Sequence, residues 1–265
     1  MLARPLLSRS LLARPLRAFV QAWRDIDALR DPEARAEGRP IVYLYIVALM
    51  CISSIWIGNR GFYYEYASKW LPPSGDYPGL FGDLWWIGLC FFSYFVVPAV
   101  AVKLTGGSLR AHGLSTRGFV RHLPLYLGLY ALVLPAVLIA STQDSFVNTY
   151  PLSGDAQRGW VPLLIFEAGY ALQFFALEFF FRGFMLFGLV RWLGSLAIPI
   201  MIVPYALIHF GKPLPEAMGA IVAGTVLGTL ALRTGSIWGG VFIHYAVALS
   251  MDLLALWRKG AFLFT

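Results

Sequence analysis

Long apolar stretches constrain this chain more than any other feature of its sequence. Of its 265 residues, 58% are hydrophobic and 13% are charged, and the mean hydropathy is +0.67. A soluble domain carries about 25% charged residues, and a helix needs roughly 17 to 25 apolar residues to cross a bilayer core of about 30 Å. No run shows the period-2 alternation of a strand. The sequence therefore predicts an all-α polytopic membrane bundle and excludes a large soluble domain.

About seven membrane spans are predicted, preceded by an amphipathic segment. Residues 1–39 are basic, and apolar residues recur at helical spacing from Leu16 to Leu29, as in a helix that lies among lipid head groups. A disordered arginine-rich tail is the alternative. The predicted transmembrane domain covers residues 40–265. Its spans are residues 40–58, 84–102, 123–140, 161–190, 196–210, 217–232 and 236–257, of which the fifth and sixth are short.

The distribution of charge predicts orientation and location. The formal net charge is +7, and the basic residues concentrate in the segments that would lie inside if the N-terminus were cytoplasmic. The positive-inside rule thus predicts a multi-pass protein of the cell inner membrane with a cytoplasmic N-terminus. Because the arginines are not interleaved with exposed aromatics, we expect the lipid bilayer and no nucleic acid as a partner. Cys51 and Cys90 fall in different spans and predict no disulfide.

Ionisable residues inside the predicted spans point to a site. Such groups are expensive in a membrane and are functional candidates by default. The stretch "LEFFFRG", residues 177–183, places Glu178 and Arg182 four residues apart, where they can pair on one helix face. A plain structural ion pair is the alternative reading. Glu167 is predicted outside the site. Glu216 is predicted in the first turn of the sixth span, with a role at the entrance near His209 as the alternative. The full set in the last four spans is Glu167, Glu178, Arg182, His209, His244 and Asp252.

Residue counts from the predicted inner bends give each group a depth. At 1.5 Å per residue, Glu178 and His209 both lie roughly 23 Å from a bend near Gly194. Arg182 and Tyr205 match likewise, at 12 and 11 residues from that bend. The same count on the last helix brings Asp252 to that depth and leaves His244 about two turns deeper. A carboxylate and an imidazole at one depth can orient and deprotonate a water molecule, and a second cationic group can stabilise an oxyanion. The pattern favours peptide hydrolysis.

The motifs around these residues resemble those of the CPBP family, which comprises CAAX proteases and bacteriocin-processing enzymes. The family motifs are Glu-Glu-x-x-x-Arg, Phe-x-x-x-His and His-x-x-x-Asn on successive helices, and this chain has "LEFFFRG", "YALIH" and "HYAVA" within residues 160–255. The stretch "GTVLGTLALRTGSIWGGVFIH" is similar as well. The resemblance implies an intramembrane endopeptidase that hydrolyses a membrane-associated or C-terminally tagged protein or peptide.

Two departures from the family pattern bear on activity. Leu177 stands where the first glutamate, usually taken as the water-activating one, would be, and Ala248 replaces the asparagine. Asp252, one turn beyond Ala248, and Gln173, one turn before Leu177, are candidate replacements for the lost polar contacts. A catalytically silent CPBP-like membrane scaffold or immunity protein is the alternative function.

The predicted catalytic set is Glu178, His209, Arg182, His244 and Asp252. In this interpretation Glu178 activates water, His209 assists and Arg182 orients Glu178. His244 faces the oxyanion, and Asp252 orients a histidine or replaces the asparagine. No cofactor is predicted. Zinc held by two histidines and a carboxylate is the alternative. It is not favoured, because the chain lacks H-E-x-x-H and an arginine beside the carboxylate would repel the ion.

Overall fold

The computed structural model describes residues 9–34, 38–71 and 75–261, so residues 1–8 and 35–37 of the predicted basic segment lie outside the described residues. Helices dominate these ranges, and no strand occurs in them, which confirms the all-α class. Two π-helical segments, Phe92–Val96 and Phe179–Leu186, directly follow the α-helices Pro78–Phe91 and Trp160–Glu178. The α-helices are α1 (Arg9–Asp27), α2 (Gly38–Trp56), α3 (Arg60–Glu65), α4 (Pro78–Phe91), α5 (Val97–Leu104), α6 (Phe119–Ala140), α7 (Asp144–Thr149), α8 (Trp160–Glu178), α9 (Phe187–Leu193), α10 (Ala197–Leu207), α11 (Leu214–Thr234) and α12 (Trp238–Arg258).

Six helical stretches of the described chain are long and apolar enough to cross a membrane, so the predicted count of seven is not confirmed. One of them, Trp160–Leu207, has 48 residues, about 72 Å if it were straight. It bends at Gly194, where φ is +56°, and α10 runs back beside the second π segment. With 11 residues, α10 is about 16 Å long and too short to cross a bilayer alone. The six are Gly38–Trp56, Pro78–Leu104, Phe119–Ala140, Trp160–Leu207, Leu214–Thr234 and Trp238–Arg258.

The π segment after α8 is the most enclosed part of the bundle. Phe180 stacks on Tyr94 of the π segment Phe92–Val96 with ring centroids 4.6 Å apart, and Phe184 stacks on Tyr43 of α2 at 4.3 Å. All eight residues of Phe179–Leu186 are buried. A π turn is wider than an α turn and often marks a functional site. Here it carries one charged residue, Arg182, into a shell of aromatic rings.

The α1 helix docks on the hairpin bend instead of lying free among head groups. Ile26 is buried, and the Trp23 indole donates a hydrogen bond to Thr229 of α11 at 3.2 Å. The Ser195 N–H donates to Asp27 Oδ1 at 2.8 Å, and the hydrogen bonds from Ser195 lower the pKa of Asp27. The opposite face is apolar and exposed, as an amphipathic helix requires. Its contact with lipid stays a prediction.

Helices α8 and α12 run antiparallel and meet at two polar levels. Glu178 contacts His244 at one level, and Glu167 contacts Tyr245 at the other. We call Glu178, Arg182 and His244 the motif cluster, and Glu167, Tyr245 and Asp252 the carboxyl cluster. The two clusters organise the polar interior between these helices.

Candidate active site

An ion pair forms the centre of the motif cluster. Arg182 Nη1 lies 3.1 Å from Glu178 Oε1, and both side chains are fully buried. The guanidinium carbon also lies 4.3 Å from the centroid of the Tyr205 ring on α10, a cation–π contact. Within the described residues the guanidinium N–H groups have no hydrogen-bond acceptor of good geometry. The charge of Glu178 and the face of the Tyr205 ring therefore hold Arg182 in place. Removal of one partner of such a buried ion pair leaves the other charge uncompensated.

His244 completes the motif cluster and is its most accessible member. Its Nδ1 lies 2.9 Å from Glu178 Oε1, and its side chain is 17% exposed whereas that of Glu178 is 0% exposed. An ionised carboxylate only accepts hydrogen bonds, so Nδ1 is the donor here, and in the neutral imidazole Nε2 keeps its lone pair. The imidazole packs against Phe174, with ring centroids 4.5 Å apart. The accessible part of the motif cluster is therefore the imidazole of His244 and not the carboxyl group of Glu178.

Gly240 allows the carboxyl group of Glu178 to approach the backbone of α12. A Cβ atom at position 240 would lie 2.4 Å from Glu178 Oε2, closer than real Cβ contacts allow. Gly240 precedes His244 by four residues, so both face Glu178. Sequence reasoning missed this residue, although its spacing from His244 was the available signal. The carboxyl group is thus clamped between α12, Arg182 and the imidazole.

His209 lies in the turn after α10, because that helix ends at Leu207 and not at residue 210 as predicted. Its Nδ1 is 2.8 Å from the Tyr205 carbonyl oxygen, and its ring meets the Tyr205 ring edge-on at 4.8 Å. Burial lowers the pKa of His209 to about 4, so the imidazole is neutral at pH 7. The motif cluster lies close to this turn, because the ring centroids of Tyr205 and His244 are 6.3 Å apart.

Tyr205 connects the two histidines to the ion pair. The predicted match of Arg182 with Tyr205 across the hairpin is confirmed by their contact. Among the described residues no hydrogen bond or ion pair joins Glu178 to His209 directly. The site is therefore two connected parts, the motif cluster and the His209 turn, with the Tyr205 ring between them.

The structure does not bring Asp252 to the depth of Glu178, so that placement was wrong. The Asp252 carboxyl group faces Glu167, and the Tyr245 hydroxyl lies 3.4 Å from Glu167 Oε2. His244, predicted to lie deeper, occupies the level of Glu178 instead. Asp252 neither orients a histidine nor replaces the missing asparagine in this structure.

The error arose because the bends at Gly194 and Gly235 do not lie at the same depth in the bundle. The Ile237 N–H donates to the Gly113 carbonyl at 3.0 Å, and a Cβ atom on Gly113 would lie 2.9 Å from the Phe187 ring. The bend at Gly235 is therefore beside Phe187. Seven residues separate Phe187 from Gly194, about 10 Å of helix. A residue count that assumes both bends at the same depth therefore misplaces the residues of α12 by about 10 Å.

Apolar side chains that pack inside the bundle occupy the two positions at which the family motifs have polar residues. Leu177 and Ala248 are 6% exposed, and Ala248 packs in the cluster that contains Phe174. Gln173, the other candidate replacement, directs Nε2 toward Cys90 Sγ on α4 at 3.9 Å. It therefore faces away from α12, and no polar side chain replaces the family's first glutamate beside His244 in the described contacts.

The described residues do not form the two-histidine, one-carboxylate zinc set. No group of three or more His, Cys, Asp and Glu side chains placed for a metal ion occurs in residues 9–34, 38–71 and 75–261. The Glu178 oxygen nearest His244 is already occupied by Nδ1 and by the Arg182 cation. A guanidinium at that distance would repel a divalent ion.

The fold and the site together define a multi-pass membrane protein with a carboxylate–histidine site inside its helical bundle. Residues 159–250 match the sequence model of a family described as Type II CAAX prenyl endopeptidase Rce1-like. Over these residues the chain is similar to CAAX-protease-type proteins, as the resemblance to the CPBP family implies. The match includes Glu178, Arg182, His209 and His244 and ends before Asp252. No curated protein and no solved structure matches the chain.

Proposed function

We propose that this protein is an intramembrane endopeptidase that hydrolyses a peptide bond of a membrane-associated or C-terminally tagged protein. The matched family is a protease family, which supports a membrane peptidase. The observation that carries the finer proposal is the 2.9 Å hydrogen bond between His244 Nδ1 and Glu178 Oε1. A carboxylate on Nδ1 fixes the tautomer that leaves Nε2 free to accept a proton.

In the proposed mechanism His244 is the general base and Glu178 its orienting carboxylate. This reverses the role that the sequence suggested for Glu178, because the carboxylate is fully enclosed and the imidazole is not. Arg182 holds Glu178 and balances its charge. When His244 gains a proton, the negative Glu178 stabilises the imidazolium.

The hydrolysis balances with these residues alone. A water oxygen attacks the carbonyl carbon while its proton moves to His244 Nε2, and a C–O bond forms. The lone pair on Nε2 of the neutral His209 accepts the other hydrogen of the water and orients it. The imidazolium and Arg182 favour the oxyanion electrostatically. As the C–N bond breaks, His244 returns its proton to the leaving nitrogen, which yields a carboxylic acid and an amine.

The test compares peptide termini across the membrane and secreted proteomes of matched strains. The strains carry the native protein, a deletion, His244→Gln, Glu178→Gln or Glu167→Gln, at equal protein abundance. Glu167→Gln is the matched control, since it is a second buried glutamate of α8 that lies outside the motif cluster. We expect the same termini to vanish in the deletion, His244→Gln and Glu178→Gln strains and to persist in Glu167→Gln.

Two other outcomes contradict the proposal in different ways. If the deletion removes termini but His244→Gln does not, the assigned base is wrong. If the deletion changes no terminus, the silent scaffold replaces the peptidase, which would agree with the apolar Leu177 and Ala248 at motif positions.

A further inference from the structure

The turn that carries His209 is tied to the loop between α7 and α8 by three side chains. Lys212 Nζ donates a hydrogen bond to Tyr150 Oη at 2.8 Å, and Tyr150 Oη donates to Glu216 Oε2 at 2.5 Å. Lys212 also lies 3.4 Å from Glu216 Oε1 and 4.8 Å from the Tyr150 ring centroid. We call Tyr150, Lys212 and Glu216 the tyrosine latch.

The hydroxyl group of Tyr150 has a fixed direction in the latch. An ammonium group only donates and a carboxylate only accepts, so the hydroxyl must accept from Lys212 and donate to Glu216. Burial and the nearby charge of Glu216 raise the pKa of Tyr150, which keeps the donor proton in place at physiological pH. Tyr150 is 2% exposed. Hydrogen bonds to charged partners are stronger than neutral ones, and here both partners are charged.

The latch holds the far end of the His209 turn. The near end is fixed by α10, through the hydrogen bond between His209 and the Tyr205 carbonyl. Beyond His209, the Lys212 N–H donates to the His209 carbonyl at 3.1 Å. Lys212 is thus both the next fixed point of the turn and the cation of the latch.

The other side of the latch reaches the helix of His244. The Tyr150 ring packs with Phe146 of α7 and with Ala255 of α12, all three buried in one apolar cluster. The latch therefore links the His209 turn to the helix that carries His244. Tyr150 lies before residue 159, outside the part of the chain that matches the family model.

We infer that Tyr150 is a positioning residue that holds the His209 turn beside His244 through Lys212 and Glu216. The consequence for catalysis rests on the proposed function, whereas the consequence for the geometry of His209 does not. Tyr150→Phe removes both hydrogen bonds and keeps the ring. The freed turn moves His209 away from Tyr205 and opens its imidazole to solvent.

The experiment measures the rate at which diethyl pyrocarbonate modifies each histidine of the full-length protein in nanodiscs, mapped by mass spectrometry. We expect His209 to react about tenfold faster in Tyr150→Phe than in the native protein, as the loss of hydrogen bonds worth about 1.4 kcal/mol would give. His122, far from the latch, should keep its rate. The matched control is Tyr130→Phe, which removes a hydroxyl bonded to Ser250 Oγ at 2.7 Å elsewhere on α12.

A second variant keeps the inference testable if Tyr150→Phe does not fold. Lys212→Met removes the cation at similar length and should raise the reactivity of His209 in the same way. An unchanged His209 rate in a folded latch variant overturns the inference, as does an equal rise in Tyr130→Phe. Where cleaved termini are known, the latch variants should also lower kcat more than they raise KM. A rise in His209 reactivity without any native cleavage would support the latch and reject the peptidase.

Discussion

The motif cluster and the carboxyl cluster lie between the same two helices and are both largely buried, yet their charges are arranged in opposite ways. In the motif cluster, Glu178 meets a guanidinium and an imidazole. In the carboxyl cluster, Glu167 meets a second carboxyl group, that of Asp252, whose oxygens have no hydrogen-bond partner of good geometry in the described residues. Two ionised carboxylates in a low-dielectric interior repel each other.

The difference teaches that burial of a charge does not by itself define a site. Both clusters place ionisable groups in the bundle interior, and both would be functional candidates on depth alone. Only the motif cluster combines an enclosed carboxylate with a partly exposed imidazole whose second nitrogen is free. Four measurements test this contrast between the two clusters.

The largest effect is expected from Arg182→Met. It leaves the buried Glu178 without its cationic partner and with only the hydrogen bond from His244, so it should lower the free energy of unfolding by about 3–5 kcal/mol. Unfolding in mixed micelles, followed by circular dichroism, measures this. The double variant Glu178→Gln with Arg182→Met should recover most of the loss, because neither charge remains. If Arg182→Met costs no more than Asp252→Asn, the two clusters do not differ as described.

Gly240→Ala tests the clamp on the Glu178 carboxyl group. The added Cβ would lie 2.4 Å from Oε2, so the carboxylate must shift away from His244. We expect a loss of about 1–3 kcal/mol in unfolding free energy and about a hundredfold loss of peptidase rate from misplacement of the catalytic group. Gly219→Ala is the control, since a Cβ there meets nothing within 4 Å. Equal behaviour of the two alanine variants would show that the clamp is absent.

The pH dependence of stability separates the His209 turn from both clusters. The folded protein holds His209 at a pKa of about 4 against a usual value of 6.5, so between these values the unfolded chain binds more protons. The free energy of unfolding should therefore fall as the pH drops from 6.5 to 4, on the order of 1 kcal/mol after allowance for partial exposure. His209→Gln should flatten this slope in a thermal unfolding series, and Glu167→Gln should retain it. A slope that His209→Gln leaves unchanged must come from another group.

The smallest effect is expected from Asp252→Asn. It replaces a carboxyl group whose oxygens have no hydrogen-bond partner of good geometry with an amide that can donate to Glu167, so the free energy of unfolding should rise by about 0.5–1 kcal/mol. The same micelle unfolding assay measures it, with Asp252→Leu to separate the lost charge from the added donor. A fall in stability for Asp252→Asn would mean that its carboxylate has a favourable partner.

Sequence reasoning predicted most helices because apolar runs of membrane length leave little freedom. The span predicted over residues 217–232 is α11, with Glu216 in its first turn as expected. The contact between Arg182 and Tyr205 was also predictable, since both positions were counted from the single bend at Gly194. Counting fails across two bends, and for that reason Asp252 was placed beside Glu178.

Other features depend on packing that no residue count contains. The π segment arises where Phe180 and Phe184 meet rings on two other helices, and a local pattern of phenylalanines does not specify it. The role of Gly240 depends on the position of Glu178 on another helix. Tyr150 lies in a loop with no motif, so its link to His209 became visible only in three dimensions.

The short α10 also bears on how the protein enters the membrane. With 11 residues it has too little apolar length for independent insertion by the translocon, so it must follow the preceding helix as the second arm of a hairpin. Until that arm arrives, Arg182 lacks the Tyr205 ring and relies on Glu178 alone. We therefore expect the ion pair to form during synthesis, before α12 has left the ribosome. The pair that anchors the finished site would then first serve to carry an arginine into lipid.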